Sequence, residues 1–194
     1  LVALAAVASL ATTPYPAVAP LHHLPTLALI GDAPWLLARW PLGDRSVACI
    51  GLFLLLHTLG GHFTYTNLPY DDWTRALTGT SLGEAMGWRR NHYDRLVHLA
   101  FGLLAVPPLT EGLRRHGGFG PRAAGWGAVA GVMAIGAVYE IFEWLLAIAV
   151  AGPAADSYNG QQGDAWDAQK DMGLALAGAL AALAWGRYGR RKRP

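Results

Sequence analysis

The sequence predicts an all-α protein, a polytopic bundle of about five to six transmembrane helices in a single integral membrane domain. Of its 194 residues, 53% are hydrophobic and only 14% are charged, whereas soluble domains carry about 25% charged residues. The charges are also bunched, which leaves several apolar runs of roughly 18 residues, enough to cross a hydrocarbon core about 30 Å thick. The lipid bilayer is therefore the predicted environment of this chain.

The apolar runs predict membrane helices over residues 1–13, 22–39, 44–61, 92–113, 123–150 and 166–187. The first begins without a methionine, so we expect it to be the end of a first membrane helix whose start is missing from this chain or is built differently, and the turn Pro14-Tyr15-Pro16 closes it. Gly31 and Pro34 interrupt the second and predict a broken or interfacial helix. Asp44 or Ser46 supplies a side chain that caps the third.

The polar stretch 62–91 separates the third and fourth segments and predicts an outer loop, with one short helix near 71–77 or 81–86. Its tryptophans favour the membrane–water interface. Segment 123–150 is longer than the hydrocarbon core is thick, so it should tilt or project. The last segment, 166–187, is rich in Ala and Gly, which favours close helix packing. A polar loop from Gly152 to Asp164 should precede it.

The basic residues predict the orientation in the membrane, because Lys and Arg are enriched on the cytoplasmic side. Alternating helices place ten on one side: Arg39, Arg45, Arg114, Arg115, Arg122, Arg187, Arg190, Arg191, Lys192 and Arg193. Five fall on the other side: Arg75, Arg89, Arg90, Arg95 and Lys170. We therefore expect a multi-pass protein of the bacterial inner membrane with a cytoplasmic C-terminus, a basic cytoplasmic tail over 188–194, and loop 62–91 outside.

Acidic and histidine residues then gather at the outer face: His57, His62, Asp94, His98, Glu140, Glu143, Asp164, Asp167 and Asp171. Asp94 and His98 are four residues apart and share one helix face. Glu140 and Glu143 also share a face, but they lie near a helix C-terminus, where the helix dipole disfavours carboxylates. A charge inside the membrane costs about 2.5–3.5 kcal/mol on insertion scales, so such residues are candidates for function.

Three interpretations of this cluster stay open. Carboxylates with imidazoles suit a divalent metal ion, with candidate ligands His57, His62, Asp94, His98, Glu140, Asp164, Asp167 and Asp171. Metal-free acid–base chemistry is the second, with catalytic candidates Asp94, His98, Glu140 and Glu143. The third is structural: Arg90, Arg95 and Lys170 could pair with the acids, and the helix dipole alone favours Asp164 and Asp167 at a helix start.

Several strings of this sequence resemble the YjdF-like family of uncharacterised bacterial inner-membrane proteins. They are His57-Thr58-Leu59-Gly60 with His62, Pro69-Tyr70-Asp71, Arg90-Asn91-His92-Tyr93-Asp94-Arg95 with His98, Tyr139-Glu140 with Glu143-Trp144, and Gln162-Gly163-Asp164 with Trp166-Asp167-Ala168 and Lys170-Asp171-Met172. A sparser similarity to VanZ-like proteins rests on Asp94, His98, Glu140, Asp167 and Asp171. Neither resemblance implies an established reaction.

The leading functional hypothesis is a small membrane enzyme or binding protein that takes a lipid or a lipid-linked envelope molecule at this outer site. An accessory subunit of a membrane protein complex is the alternative. A transporter is less favoured, since the inner halves of the later segments are apolar. The net charge of +2 gives no reason to expect nucleic acid, and the single cysteine, Cys49, excludes a disulfide within the chain.

Overall fold

The computed structural model of the chain describes residues 1–150 and 161–191, and the secondary structure within these ranges is entirely helical. Its eight helices are α1 (Val2–Thr12), α2 (Ala19–Arg39), α3 (Asp44–His62), α4 (Tyr70–Thr78), α5 (Leu82–Met86), α6 (Tyr93–Arg115), α7 (Pro121–Val150) and α8 (Asp167–Arg191). Most of the predicted loop 152–164 lies outside the described residues, as do residues 192–194 of the predicted tail. Helix α8 runs four residues beyond the predicted end at 187.

The all-helical class agrees with the prediction. Among the described helices, Tyr93–Arg115 and Pro121–Ala149 are long and apolar enough to cross a membrane. Helix α1 is apolar but shorter. The count of five to six membrane helices therefore stays a prediction, while the helical membrane class fits.

Helix α2 is continuous, so the prediction of a broken helix was wrong. It runs through Pro25 and Pro34 and has Pro20 in its first turn, a position that suits proline. Each internal proline removes one helical hydrogen bond. In bundles, neighbouring helices compensate for such losses, and α2 packs against both α1 and α3. That packing buries His22 and His23 completely.

The segment predicted as a loop, 62–91, contains two short helices, α4 and α5. Ser81 caps α5: its side chain accepts from the Glu84 N–H, and the Glu84 carboxylate accepts in return from the Ser81 N–H. Left-handed glycines, Gly79 and Gly87, end the two helices. The Asp71 carboxylate accepts a hydrogen bond from the Gly83 N–H at 2.7 Å and so ties α4 to α5.

Helix α6 is the centre of the bundle and packs against α3, α7 and, most extensively, α8. The α6–α8 contact is a backbone-to-backbone approach at Gly102 and Gly178. A Cβ atom on Gly102 would collide with the Ala175 backbone, and one on Gly178 would collide with the Leu99 backbone. Beyond these glycines, α6, α7 and α8 share an apolar core: Val106, Ala128, Val129, Val132, Ala175, Ala179 and Leu183.

The α6–α8 approach predicts opposite effects for two glycines on α8. Gly178→Ala should lower stability by about 1–3 kcal/mol, because an extra carbon there overpacks a backbone contact. Gly173→Ala is the matched control. No atom lies within 4 Å of its new Cβ, so it should leave stability unchanged or raise it, since Ala favours helix over Gly by up to about 1 kcal/mol. Thermal unfolding midpoints in one detergent test the pair, and equal midpoints would contradict the close approach.

Candidate functional site

Three helices bring acidic side chains around one histidine, His98 of α6. Its Nδ1 lies 3.4 Å from Asp94 Oδ1, one turn earlier on α6, and 3.7 Å from Asp171 Oδ1 on α8. Its Nε2 lies 3.4 Å from Glu140 Oε1 on α7. Glu143, one turn further along α7, interacts electrostatically with the same carboxylates. We call Asp94, His98, Glu140, Glu143 and Asp171 the acidic cluster.

The acidic cluster is largely shielded from solvent. Asp171 is its most buried member, with a side chain only 3% exposed. Its Oδ1 accepts no hydrogen bond from any described residue, although buried carboxylate oxygens normally find donors. A buried carboxylate oxygen that receives no hydrogen bond and faces an imidazole is suited to binding a cation or a proton.

The charges of the acidic cluster do not balance. Four carboxyl groups face one imidazole, and among the side chains of residues 1–149 and 161–186 no Lys or Arg nitrogen approaches any of the four within 4.0 Å. Like charges this close cannot all stay ionised in a poorly hydrated site without compensation. Protons or a bound cation must supply it, and these are the acid–base and metal interpretations.

The geometry fits a metal ion at three of these residues. One ligand atom each from Asp94, His98 and Asp171 lie within 4.8 Å of one another. Ligand atoms about 2.1 Å from one ion are at most about 4.2 Å apart, so modest side-chain rotations would complete the set. Two carboxylates and an imidazole suit Zn²⁺, Mn²⁺ or Fe²⁺, and three protein ligands leave a position open for a substrate.

Asp164 and Asp167, also predicted as metal ligands, lie instead in an adjacent ion-pair cluster with Arg90, Arg95 and Lys170. Arg90 donates to both oxygens of Asp167, at 2.6 and 3.3 Å. Asp164 Oδ2 accepts from Arg95 at 2.7 Å and from Lys170 at 2.6 Å. For these two acids the arrangement matches the structural interpretation, in which basic residues join α8 to the segment before α6.

The ion pairs hold Asp164 in its charged form. The hydrogen bond from Lys170, with a further one from the Trp166 N–H, lowers the pKa of Asp164 to about 2. A carboxyl with a lowered pKa stabilises the fold above its unfolded pKa, and that contribution is lost only as the pH falls through about 2. Asp164 therefore stays charged at neutral pH and has its partners already.

His57 and His62, the remaining predicted ligands, lie outside the acidic cluster. His57 is buried, donates from Nε2 to the His22 carbonyl at 2.9 Å, and accepts from the Tyr65 hydroxyl at Nδ1. Both of its ring nitrogens are thus engaged. His62 Nδ1 lies 3.2 Å from the Ser9 carbonyl oxygen on α1. The structure brings neither histidine to within ligand distance of the three residues that fit a metal.

A second set of polar side chains, which includes His57, Tyr139 and His23, adjoins the acidic cluster and was not predicted from the sequence as a group. The Tyr139 ring lies between His57 and His98, with centroid distances of 6.4 and 6.5 Å. Beyond His57, His23 Nε2 lies 2.8 Å from Ser9 Oγ. Gly61 faces His23, and a Cβ on that glycine would collide with the histidine ring. Residue spacing gives no sign of this contact, because it depends on how α2 packs against α3.

Comparisons with known proteins agree with the resemblance seen in the sequence. Residues 1–192 match a family described as "Predicted membrane protein (DUF2238)". The chain is 35% identical over 147 residues to "Inner membrane protein YjdF" of Escherichia coli (strain K12). That alignment covers 75% of this chain and 66% of the relative, just under two thirds of its length. No solved structure matches. The similarity to YjdF is therefore confirmed, and the looser one to VanZ-like proteins stays a prediction.

The two groups of acids predict opposite results for one chemical change. Asp167→Asn should destabilise the protein by about 2–3 kcal/mol, because it leaves the Arg90 charge, 13% exposed, without its bidentate partner. Asp171→Asn should leave stability unchanged or raise it in the presence of EDTA, since it removes one of several crowded negative charges. Asp72→Asn, on an exposed residue, is the control.

Thermal unfolding in one detergent at neutral pH measures all three variants. If Asp171→Asn lowers the midpoint as much as Asp167→Asn does, Asp171 is a structural residue.

Proposed function

This chain belongs to the DUF2238 family of predicted membrane proteins, and on that premise we propose that its acidic cluster is a divalent-cation site that binds a lipid or lipid-linked envelope molecule. The protein would be a small membrane enzyme or a binding protein. The inner membrane is the proposed location, supported by the name of its Escherichia coli relative and by the bunched basic residues.

The observation that carries this proposal is the uncompensated charge of the acidic cluster. Asp94, Glu140, Glu143 and Asp171 surround a single imidazole, while the arginines nearby are paired with other acids. A divalent cation supplies two positive charges and uses the oxygen of Asp171 that lacks a donor. Two protons on the carboxyls would neutralise the same charge, so the preference for the metal interpretation rests on the ligand atoms that Asp94, His98 and Asp171 already hold close together.

Each residue then has a chemical role. Asp94, His98 and Asp171 would hold the ion. When bound, it would polarise a phosphoryl or carbonyl oxygen of a substrate. Glu140 faces the other ring nitrogen of His98, Nε2, and is outside the ligand set, so Glu140 and Glu143 would remain available to accept or donate a proton.

The position of the acidic cluster supports a lipid-type ligand. It lies at the N-terminal ends of α6 and α8, where Trp88 and Trp166, a few residues before these two helices, are exposed. Exposed tryptophans are typical of the membrane–water interface, so the cluster is at the depth of a headgroup. The alternatives fit less well. The apolar core shared by α6, α7 and α8 separates the acidic cluster from the opposite end of the bundle and opposes a transport path.

The proposal predicts a saturable, site-dependent metal requirement. Mn²⁺ or Zn²⁺ at about 100 times its Kd should raise the free energy of unfolding of the EDTA-treated protein by about 2.7 kcal/mol. Asp171→Asn and His98→Gln should each lose this stabilisation, while Asp72→Asn should keep it. The measurements are thermal unfolding with and without the ion, and metal content by mass spectrometry of the purified protein.

Three results would separate the alternatives. Stabilisation that survives in both Asp171→Asn and His98→Gln would place the ion elsewhere and contradict the proposed site. No bound metal under any condition would leave acid–base chemistry without a metal. A protein that co-purifies in fixed ratio, together with no metal, would favour the accessory-subunit alternative.

A further inference from the structure

A second candidate site lies at the other end of the bundle, in a cleft between α3, α6 and α8. Its volume is about 1010 Å³. Along α6 it runs from Leu103 to Arg115, a rise of twelve residue steps or about 18 Å of helix. That length is close to one leaflet of a hydrocarbon core about 30 Å thick. The cleft therefore extends from the middle of the membrane-spanning helix α6 to its end.

The walls of this cleft change character along its length. The deeper part is apolar, lined by Leu103, Val106 and Leu183. The end of the cleft at the surface of the bundle, on the predicted cytoplasmic side, carries three arginines: Arg45 in the first turn of α3, and Arg114 and Arg115 in the last turn of α6. Exposed aromatic side chains, Phe119 and Trp185, also line it, and Trp185 is 73% exposed. An amphipathic ligand with an anionic end would match this gradient.

The one acid among the residues that line the cleft, Glu111, pairs with only one of these three arginines. Glu111 accepts from the Gly43 N–H at 2.8 Å and from the Ser46 hydroxyl at 2.5 Å, and so joins α6 to α3. Arg115 also approaches it, at 3.3 Å. Within the residues that the structure describes, neither Arg45 nor Arg114 has an ion-pair partner. The arginine-bearing end of the cleft thus has a surplus of positive charge.

We propose that this cleft binds an anionic phospholipid, with its phosphate at Arg45 and Arg114 and an acyl chain against Leu103, Leu183 and Trp185. A free phosphate would gain nothing from the apolar depth, and a zwitterionic lipid would match the arginines less well. Basic pockets between membrane helices bind anionic headgroups in this manner. Sixteen residues of α6, about 24 Å, separate His98 from Arg114, so the lipid site is independent of the acidic cluster.

The test compares lipids and variants on the full chain. In nanodiscs or mixed micelles, phosphatidylglycerol should bind the wild type more tightly than phosphatidylcholine does. The double variant Arg45→Gln/Arg114→Gln should weaken phosphatidylglycerol binding by about 20–30-fold, if each arginine contributes as basic residues at membrane surfaces do. The control Arg39→Gln/Arg89→Gln removes the same charge from exposed arginines outside the cleft and should change binding less than threefold.

A second variant tests the apolar part without changing the charge. Ala181 lines the cleft and is exposed, so Ala181→Trp should fill the cleft, leave the fold intact and reduce binding of both lipids. Native mass spectrometry of the purified protein measures the retained lipid directly.

Three outcomes would overturn the proposal. They are an equal loss of phosphatidylglycerol binding in the cleft and control double variants, no preference for phosphatidylglycerol over phosphatidylcholine, or binding of inorganic phosphate as tight as that of phosphatidylglycerol. If the double variant does not fold, Arg114→Gln and Ala181→Trp decide the question under the same criteria.

Discussion

The close approach of α6 and α8 at Gly102 and Gly178 is the contact on which the rest of the site depends. Two helix backbones in contact cannot slide past one another without a collision, so the glycines fix their register. His98 is one turn before Gly102, and Asp171 is about two turns before Gly178. The same register that closes the contact therefore sets Asp171 against His98, 3.7 Å apart. Helix α7 then packs on the joined pair and supplies Glu140.

Two neighbouring groups of acids differ in how their charge is compensated. This difference distinguishes the acids with a structural role from those that are candidates for binding or catalysis. Asp164 and Asp167, at the start of α8, are neutralised by Arg90, Arg95 and Lys170. Asp171, one turn deeper and only 3% exposed, has no such partner. The ion pairs attach α8 and the residues just before it to α6 and the segment before α6. The buried, unpaired charge of Asp171 is stable only if a proton or a cation neutralises it.

The sequence was sufficient for the helical class and for bringing the residues of the acidic cluster into one region, while their role stays a prediction. Spacings of three and four residues put Asp94 with His98 and Glu140 with Glu143, and the fold keeps both pairs in one cluster. The sequence could not decide which acids pair with arginines and which join the acidic cluster, because helix register determines which side chains meet. The burial of His23 also depends on tertiary packing, against a glycine on α3. Propensity rules likewise predicted a break in α2, where neighbouring helices keep it continuous.

The central claim is that a divalent cation completes the acidic cluster. The most direct measurement is an experimental structure of the Mn²⁺-loaded protein with anomalous scattering recorded for manganese. We expect one strong peak enclosed by Asp94, His98 and Asp171. No peak there at saturating Mn²⁺, or a peak confined to Asp164 and Asp167, would contradict it.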